Sequence, residues 1–253
     1  MAKEAQPYLS VVIPAYKEID NLKLGVLEMV RDYLQKQTYS WEVLIVDDGS
    51  PDKTADVIEK KIAHWKGFSL SREPHRGKGG TVIAGVLSAH GKIVLFTDMD
   101  QATPLNQIEK FFPYFEKGAA LVIGSRQGRK GAPLTRKVMA YGFQMLRTII
   151  LRLPYKDTQC GFKAVTHEAA QKVFHQMKIF GSGTSANAGV TAGFDLEMLY
   201  LARKMRLKTI EVPVEWEHKG TARVSAIRDS YQGLRDMVKV RINALSGKYK
   251  ITK

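Results

Sequence analysis

Short apolar segments alternate with helix-like segments over about the first 125 residues of the chain. The apolar segments are rich in β-branched and aromatic residues, which is typical of buried strands. They cover residues 9–13, 41–46, 68–70, 93–96 and 120–123. Strands that alternate with helices in this way form mostly parallel, doubly wound sheets flanked by helices. The sequence therefore predicts an α/β fold built on such a sheet.

The second half of the chain is less regular. Its predicted elements are a long apolar helix over about 135–153, a helix near 194–205, a strand over 209–214 and a basic helix toward the carboxyl end. Gly, Ser, Ala and Thr dominate residues 181–193, which predicts a loop. We find no internal repeat and no long linker, so we expect a single domain over residues 1–253.

The composition favours an anionic partner, because 39 basic and 25 acidic side chains give a formal net charge of +14. Nucleic acid, anionic lipid and phosphorylated substrates all meet that requirement. Cys160 is the only cysteine, which excludes an intrachain disulfide and indicates a reducing, cytosolic location. No apolar stretch approaches the roughly 20 residues that cross a bilayer, and the first residues lack the apolar segment of a signal peptide.

Two carboxylates, Asp98 and Asp100, follow the apolar segment 93–96 after a single threonine. Acidic residues at the carboxyl end of a buried parallel strand lie where open α/β sheets bind ligands. Two hard oxygen donors there suit Mg²⁺ or Mn²⁺ held against the phosphates of a ligand. The alternative is a loop that only precedes a helix, since Thr103 and Pro104 form a good N-cap and first-turn pair.

Four polar segments occur at or after predicted strand ends, and in a parallel sheet such turns converge on one edge. They are residues 14–18, 47–50, 76–79 and 98–100. Together they offer carboxylates for a base or ribose, glycines for close backbone approach, cations for phosphates and a metal-binding pair. That combination favours a nucleoside diphosphate as the ligand.

The same segments carry a family resemblance. Residues 12–18 (VIPAYKE), 46–50 (VDDGS), 77–79 (GKG) and 98–100 (DMD) resemble the inverting nucleotide-sugar glycosyltransferases of family 2, which have the GT-A fold. Further motifs at 124–126, Arg136, 157–163 and 194–197 are similar to the enzymes that load glucose or mannose onto a polyprenyl or dolichyl phosphate. The resemblance implies a nucleotide-binding half over 9–125, an acceptor half over 126–216 and a basic helix over 217–253.

The resemblance also implies roles for individual residues. The implied donor-binding residues are Pro14, Ala15, Tyr16, Glu18, Asp48, Lys78, Asp98 and Met99, and the implied metal ligands are Asp98 and Asp100. Ser125, Arg126 and Arg136 would hold the acceptor phosphate, and Asp100, Asp195 and Arg126 would form the catalytic group. The alternative for Arg126 and Arg136 is a solvated basic loop. Asp195 matches the base of family 2 enzymes that act on hydroxyls, but here we expect it to orient the sugar or acceptor, or simply to cap a helix.

The implied reaction moves a hexose, most simply glucose from UDP-glucose, onto polyprenyl or dolichyl phosphate with inversion and with Mg²⁺ or Mn²⁺. Met99 and Gln101 depart from the Ala and Gly usual in glucosyl enzymes of this type, which leaves GDP-mannose and UDP-N-acetylglucosamine open as donors. Transfer to a saccharide hydroxyl is a further alternative.

Two other classes of protein fit the sequence less well. The charge alone would suit a nucleic-acid-binding protein, but we find no RRM, KH or zinc-finger signature. A Rossmann dehydrogenase is disfavoured because no G-x-G-x-x-G follows the first strand. We therefore expect no nucleic-acid partner.

A polyprenyl phosphate acceptor would require contact with a membrane. The helix over 135–153 has apolar stripes through Val138, Tyr141, Met145 and Ile149 and through Met139, Leu146, Ile150 and Leu153. The last helix carries an apolar stripe at Ile227, Tyr231, Leu234, Val238, Ile242 and Leu245 with many flanking cations. Basic amphipathic helices can lie in the headgroup layer, although both stripes could instead cover the sheet. We expect a cytoplasmic protein bound peripherally to the cytoplasmic face of an anionic membrane.

Overall fold

The structure is a computed structural model that describes residues 6–126, 134–179, 193–217 and 226–250. For residues 134–141, 143 and 226–231 it describes the backbone alone. The strands within these ranges are β1 (Leu9–Ala15), β2 (Trp41–Asp47), β3 (Phe68–Arg72), β4 (Ile93–Phe96), β5 (Leu121–Arg126), β6 (Lys163–Thr166) and β7 (Thr209–Val214). The helices are α1 (Ile19–Lys23), α2 (Val26–Leu34), α3 (Thr54–Ile62), α4 (Gly77–Ser88), α5 (Phe112–Glu116), α6 (Leu134–Leu151), α7 (His167–Phe174), α8 (Gly193–Lys204) and α9 (Ala226–Leu245). The predicted loop at 181–193 lies outside the described residues except for Gly193, which begins α8.

The seven strands form one sheet in the order β3-β2-β1-β4-β6-β5-β7. Neighbouring strands are parallel except around β6, which lies between β4 and β5 and is antiparallel to both. The predicted α/β fold with a mostly parallel sheet is confirmed. The strand β6 was not predicted, because its four residues begin with Lys163 and show no apolar pattern.

Strand β5 extends beyond its predicted end at residue 123. Its parallel pairing with β7 continues to the partners Arg126 and Val214. As a result, Ser125 and Arg126 belong to a strand end and not to the following loop. Both side chains are partly exposed there.

The core lies on both faces of the sheet, and both β1 and β4 are buried along their whole length. Along β1, Val12 faces one apolar cluster while Val11 and Ile13 face the other. Helix α4 packs closely on the first of these faces at Gly85, where a Cβ would lie 2.4 Å from Val12 Cγ1. This close packing brings the amino-terminal end of α4 to the carboxyl edge of the sheet.

Helix α3 begins at Thr54, although Ser50 and Pro51 have the residue types of an N-cap and a first turn. The Asp52 carboxylate accepts a hydrogen bond from the Thr54 amide at 3.0 Å. Ser50 instead accepts a hydrogen bond from the Lys17 amide at 3.1 Å, which joins two turns of the sheet edge.

The segment after Asp100 likewise lacks the helix start that Thr103 and Pro104 would form. A 3₁₀ helix runs from Leu105 to Lys110, and Thr103 does not cap it. The Asp100 carboxylate accepts a hydrogen bond from the Ala102 amide at 3.0 Å, which closes a tight turn. The alternative that this segment serves only a helix start is therefore not supported.

Helices α6 and α9 pack against each other, and each has both a buried and an exposed apolar face. Leu151 of α6 and Met237 and Val240 of α9 are buried. Seven other apolar side chains are exposed, and we call them the exposed apolar set: Met145, Leu146, Ile149, Leu234, Val238, Ile242 and Leu245. The stripe of the last helix therefore faces solvent wherever its side chains are described. No helix among the described residues is long and apolar enough to span a membrane.

Candidate active site

The turns after β1 and β2 are joined by backbone hydrogen bonds. The Asp48 amide donates to the Ala15 carbonyl at 2.9 Å, and the Glu18 amide donates to Thr54 Oγ1 at 2.9 Å. Lys17 adopts a positive φ of 56°, which turns the chain sharply between these contacts. The predicted donor-binding residues of the first two segments are therefore connected at the carboxyl edge of the sheet, where Pro14, Ala15 and Asp48 are buried.

Tyr16, Asp48 and His75 contact one another at this edge. The Tyr16 and His75 rings are stacked, with centroids 4.4 Å apart and planes 15° apart. His75 Nδ1 lies 2.9 Å from Asp48 Oδ2, and Asp48 Oδ1 accepts a hydrogen bond from the Arg76 amide at 2.7 Å. The buried Asp48 carboxylate is thus held beside an aromatic stack, an arrangement suited to the edge and face of a nucleobase.

The turn before α4 depends on glycine at two positions. Gly49 has a φ of +63°, and a Cβ there would lie 2.9 Å from the His75 amide nitrogen. Gly77 has a φ of +76° and begins α4. Since L side chains rarely adopt this conformation, glycine lets the chain turn into the helix at this point. The amino-terminal amides of α4 face the edge where phosphates are expected.

Lys78 on α4 forms an ion pair with the Asp98 carboxylate. About a third of each side chain is exposed, 31% for Lys78 and 36% for Asp98, so the pair is accessible to a ligand from solvent. Burial disfavours the ionised form of Asp98, but Lys78, Lys163 and Arg126 outweigh it and lower the pKa of the carboxyl. Burial likewise acts against the Lys78 ammonium, and the Asp98 carboxylate raises its pKa. Both groups are therefore charged at neutral pH.

Gly161 makes room for the Asp98 carboxylate. A Cβ at Gly161 would lie 2.1 Å from Asp98 Oδ2 and 2.8 Å from Oδ1. The Cys160-Gly161-Phe162-Lys163 segment thus carries glycine at the point where any side chain would displace the carboxylate. Thr97, Asp98, Gly161 and Trp216 line a small depression in the same region, together with Ala102 and Thr103.

Met99 and Gln101, the two residues that depart from the usual glucosyl pattern, both have buried side chains. Met99 is 2% exposed and packs in the core, so only its backbone is available to a donor. Gln101 is buried with a φ of +48°, and its Nε2 donates to the Asp98 carbonyl at 2.8 Å. The Gln101 side chain therefore supports the turn that carries Asp98.

The described residues include no cluster of three or more His, Cys, Asp or Glu side chains that could hold a metal ion by themselves. Asp98 and Asp100 nevertheless fit a hard cation. Mg²⁺ is usually bound by one or two carboxylates together with substrate phosphates. The Asp98 carboxylate is ionised and has space beside Gly161, as such a ligand requires.

Arg126 is held by a two-point interaction with Asp157. Its Nε lies 2.7 Å from Asp157 Oδ2, its Nη2 lies 2.9 Å from Oδ1, and its amide also donates to Oδ2 at 3.1 Å. The guanidinium lies over the Trp216 ring, 5.6 Å from the centroid. Burial opposes ionisation of Asp157, but the Arg126 guanidinium lowers the pKa of that carboxyl. Arg126 is therefore an oriented cation and not part of a solvated loop.

Ser125 and Arg136 are the other residues predicted to bind the acceptor phosphate. Ser125 precedes Arg126 at the end of β5. Arg136 lies in the first turns of α6, and its side chain is outside the described residues. Glu211 of β7 supports this region by accepting hydrogen bonds from the Lys156 and Asp157 amides at 2.8 and 2.7 Å.

Asp195 lies in the first turn of α8 and is buried. Its Oδ1 is 2.6 Å from Nζ of Lys163, which is also buried. Burial raises the pKa of the Asp195 carboxyl, while Lys163 and Lys78 oppose the rise and Asp98 adds to it. The alternative that Asp195 merely caps α8 does not account for this ion pair.

The sequence did not predict several contacts in this candidate site. The motif at 157–163 gives Lys163 no separate role, and the sequence assigns none to His75, although it contacts both Tyr16 and Asp48. Asp157 was not assigned a role, yet it orients Arg126. Gly161 was the available signal, because a glycine next to a buried strand indicates close approach of another group.

The geometry and the sequence similarity agree on the family. The model of the family described as glycosyl transferase family 2 matches residues 10–174, which is more than half of the chain. The chain belongs to glycosyl transferase family 2. The resemblance stated from the sequence motifs is thereby confirmed.

Family 2 relatives with an assigned activity match nearly the whole chain. The dolichyl-phosphate β-glucosyltransferase of Dictyostelium discoideum is 32% identical over 96% of this chain and 77% of that protein. The enzymes of the same name from Saccharomyces cerevisiae and Mus musculus are 30% and 31% identical, over 97% and 96% of this chain and 78% of each of those proteins.

Solved structures confirm the GT-A fold. Mannosyl-3-phosphoglycerate synthase from Rubrobacter xylanophilus superposes with a TM-score of 0.63 at 17% identity, covering 98% of this chain and 77% of that chain. Glucosyl-3-phosphoglycerate synthase from Mycobacterium tuberculosis, solved with Mn²⁺, UDP-glucose and phosphoglyceric acid, gives a TM-score of 0.59 at 17% identity, covering 93% of this chain and 80% of that chain. At this identity the likeness concerns the fold alone.

Proposed function

We propose that this family 2 glycosyltransferase moves glucose from UDP-glucose onto a polyprenyl or dolichyl phosphate, with inversion, at the cytoplasmic face of a membrane. The observation that carries the proposal is the oriented Arg126 guanidinium beside the Lys78–Asp98 pair. It supplies a fixed cation on the acceptor side of a donor-binding edge. The near full-length similarity to dolichyl-phosphate β-glucosyltransferases supports this choice of donor and acceptor.

The donor half is proposed to hold the nucleotide along the edge formed by β1, β2 and β4. The base would lie at Tyr16 and Asp48, with Pro14, Ala15 and Glu18 framing it. Lys78 would move from Asp98 toward the donor diphosphate, since both partners are charged and partly exposed. An ammonium close to the departing diphosphate stabilises the charge that develops on it.

A divalent cation, Mg²⁺ or Mn²⁺, is proposed to bind at Asp98 and Asp100. When bound, it neutralises charge on the diphosphate and makes it a better leaving group. The space beside Gly161 and the lowered pKa of Asp98 keep that carboxylate available as an ionised ligand.

The acceptor phosphate is proposed to bind at Ser125, Arg126 and Arg136. The two side-chain bonds from Arg126 to Asp157 use Nε and Nη2, so Nη1 does not take part in them. A phosphate monoester has a second pKa near ~6, so its oxygen is already an anion at neutral pH. The protein then needs mainly to align that oxygen with the anomeric carbon.

The membrane contact is proposed to involve the exposed apolar set on α6 and α9. Exposed cations accompany it on α9 and just beyond, at Arg235, Lys239, Lys248 and Lys250. Each cation near an anionic surface contributes on the order of 1 kcal/mol. An anionic bilayer therefore matches both the apolar and the charged side chains of this region.

A transfer assay tests the proposal. UDP-glucose, GDP-mannose and UDP-N-acetylglucosamine, each labelled in the sugar, are incubated in parallel with polyprenyl phosphate in detergent and with Mn²⁺ or Mg²⁺. We expect organic-extractable label from UDP-glucose, lost when EDTA is added. Product from another donor would revise the sugar.

The absence of lipid product from every donor, with protein shown to be folded by circular dichroism, would contradict the lipid-phosphate acceptor. The assay would then be repeated with saccharide acceptors, where transfer to a hydroxyl would replace the proposed reaction.

A further inference from the structure

Lys163 is a buried lysine whose charge the proposed reaction has not used. Its side chain is 1% exposed, and its Nζ lies 2.6 Å from Asp195 Oδ1. The ammonium also donates to the Cys160 carbonyl and lies 5.7 Å from the centroid of the Phe96 ring. These contacts give the ammonium one fixed position inside the protein.

The Lys163–Asp195 pair lies near the carboxylates that are proposed to bind the metal. Lys163 pairs with Phe96, the last residue of β4. Phe96 precedes Asp98 by two residues along the chain. It also contributes to the low pKa of Asp98, so its charge acts across the metal-binding edge. Three elements present charged groups to Asp195: Lys163 from β6, Lys78 from α4 and Asp98 from the turn after β4.

We infer that Lys163 is a specificity-determining residue that fixes Asp195 as an ion-paired carboxylate and so prevents it from acting as a general base. The site then transfers sugar only to an acceptor whose attacking oxygen is already ionised, such as a phosphate monoester. This inference rests on the proposed function and adds the residue that restricts the acceptor class.

The physical reason is the cost of an unpaired buried charge. If Asp195 took a proton from a hydroxyl, Lys163 would remain a buried ammonium that has lost its ion-pair partner at 2.6 Å, which is strongly unfavourable. A phosphate acceptor avoids this step. Its oxygen forms the bond to the anomeric carbon, the bond from that carbon to the diphosphate oxygen breaks, and the electron pair leaves on the diphosphate. No proton moves to the protein.

The first experiment compares polyprenyl phosphate with the corresponding polyprenol, using the same donor. The wild type is expected to transfer to the phosphate and not to the alcohol. In Lys163→Met the ratio of alcohol to phosphate transfer is expected to rise about tenfold or more, since a general base contributes roughly 10²- to 10⁴-fold. The ratio is measured within one preparation, so it does not depend on the folded fraction.

The double variant Lys163→Met/Asp195→Asn is the matched control, because it keeps the site neutral and removes the carboxylate. It is expected to lose the gain in alcohol transfer. An unchanged ratio in folded Lys163→Met, or an equal gain in the double variant, would overturn the inference.

A second measurement needs no variant. The acid limb of the wild-type pH–rate profile is compared for polyprenyl phosphate and polyprenyl phosphonate, whose second pKa is higher. The limb is expected to move to higher pH with the phosphonate, because the ionisation of the acceptor sets it. An acid limb at the same pH for both acceptors would point to a protein base and overturn the inference. Failure of the wild type to use any lipid phosphate would instead contradict the proposed function.

Discussion

The α-carbon of Gly161 lies directly against the Asp98 carboxylate, so that a Cβ there would be 2.1 Å from Asp98 Oδ2. Gly161→Ala should therefore displace the carboxylate that borders the donor site. We expect kcat/KM to fall about 10²-fold, since a displacement of about 1 Å in a catalytic group costs that much. Gly142→Ala on α6 is the matched control, because a Cβ there meets nothing within 4 Å. Equal activities of the two variants would show that the position of Asp98 is not critical.

The Tyr16–His75 stack leads to a prediction about the donor. His75→Ala removes the ring that stacks on Tyr16 and contacts the Asp48 carboxylate. We expect KM for the nucleotide sugar to rise about tenfold, equivalent to about 1.4 kcal/mol of binding, with a smaller effect on kcat. Steady-state kinetics with varied donor measure this, and the exposed His64→Ala serves as control. A change confined to kcat would contradict a role in binding the base.

The turns of the candidate donor edge could be predicted from the sequence because their signals are local. Proline, aspartate and glycine residues lie at or just after the ends of strands β1, β2 and β4, and parallel topology brings those ends together. Lys163 could not be predicted in the same way. A lysine is almost never fully buried unless it is paired, and its partner Asp195 is 32 positions away along the chain.

The apolar stripe of α9 shows a second limit of prediction from sequence periodicity. Leu234, Val238, Ile242 and Leu245 have helical spacing, but so do the apolar residues of the neighbouring face, Met237, Val240 and Ala244. Periodicity indicates that faces exist and does not decide which one meets the core. In the structure Met237 and Val240 are buried, and the longer stripe is exposed.

The Arg126–Asp157 pair predicts a linked effect on stability and acceptor binding. Asp157→Asn removes a partner of the guanidinium, and we expect a loss of about 1–3 kcal/mol in the free energy of unfolding at pH 7. KM for the lipid phosphate should rise while KM for the donor changes little. Denaturant unfolding and kinetics with varied acceptor measure the two effects.

The pH dependence of that stability has a definite sign. The Asp157 pKa is lowered in the folded protein by Arg126. Its contribution is therefore present above the unfolded carboxyl pKa of about 3.9 and is lost as the pH falls through the lower folded pKa. Asp157→Asn should consequently show a shallower loss of stability in acid than the wild type. An identical acid dependence would indicate that the pair contributes nothing to stability.

Removal of the divalent metal ion is expected to abolish sugar transfer. Asp98 and Asp100 are the carboxylates expected to hold Mg²⁺ or Mn²⁺, and the described residues contain no group of three or more His, Cys, Asp or Glu side chains that could hold the ion instead. EDTA should abolish transfer, and added Mn²⁺ or Mg²⁺ should restore it. Asp100→Asn should weaken the activating effect of the metal, measured as the metal concentration that gives half-maximal rate. Full activity of Asp100→Asn at low metal concentration would show that the assignment is wrong.

The exposed apolar set predicts membrane binding that can be separated from folding. Ile242→Asp places a charge among apolar side chains already exposed to water, so the stability of the protein should change little. Burial of one such side chain in a bilayer is worth about 1.5–3 kcal/mol. We therefore expect binding to vesicles with phosphatidylserine to weaken about tenfold or more, as measured by co-sedimentation.

Leu24→Asp is the matched control for Leu245→Asp, because the two leucines are exposed to almost the same extent, 73% and 74%. Leu24 lies between α1 and α2, away from the basic helix. If α9 meets the membrane, Leu245→Asp weakens vesicle binding and Leu24→Asp does not. Raising the salt concentration should weaken wild-type binding as well, because it screens the cations beside the stripe. Equal effects of the two substitutions would show that the exposed apolar set is not the surface that meets the lipid.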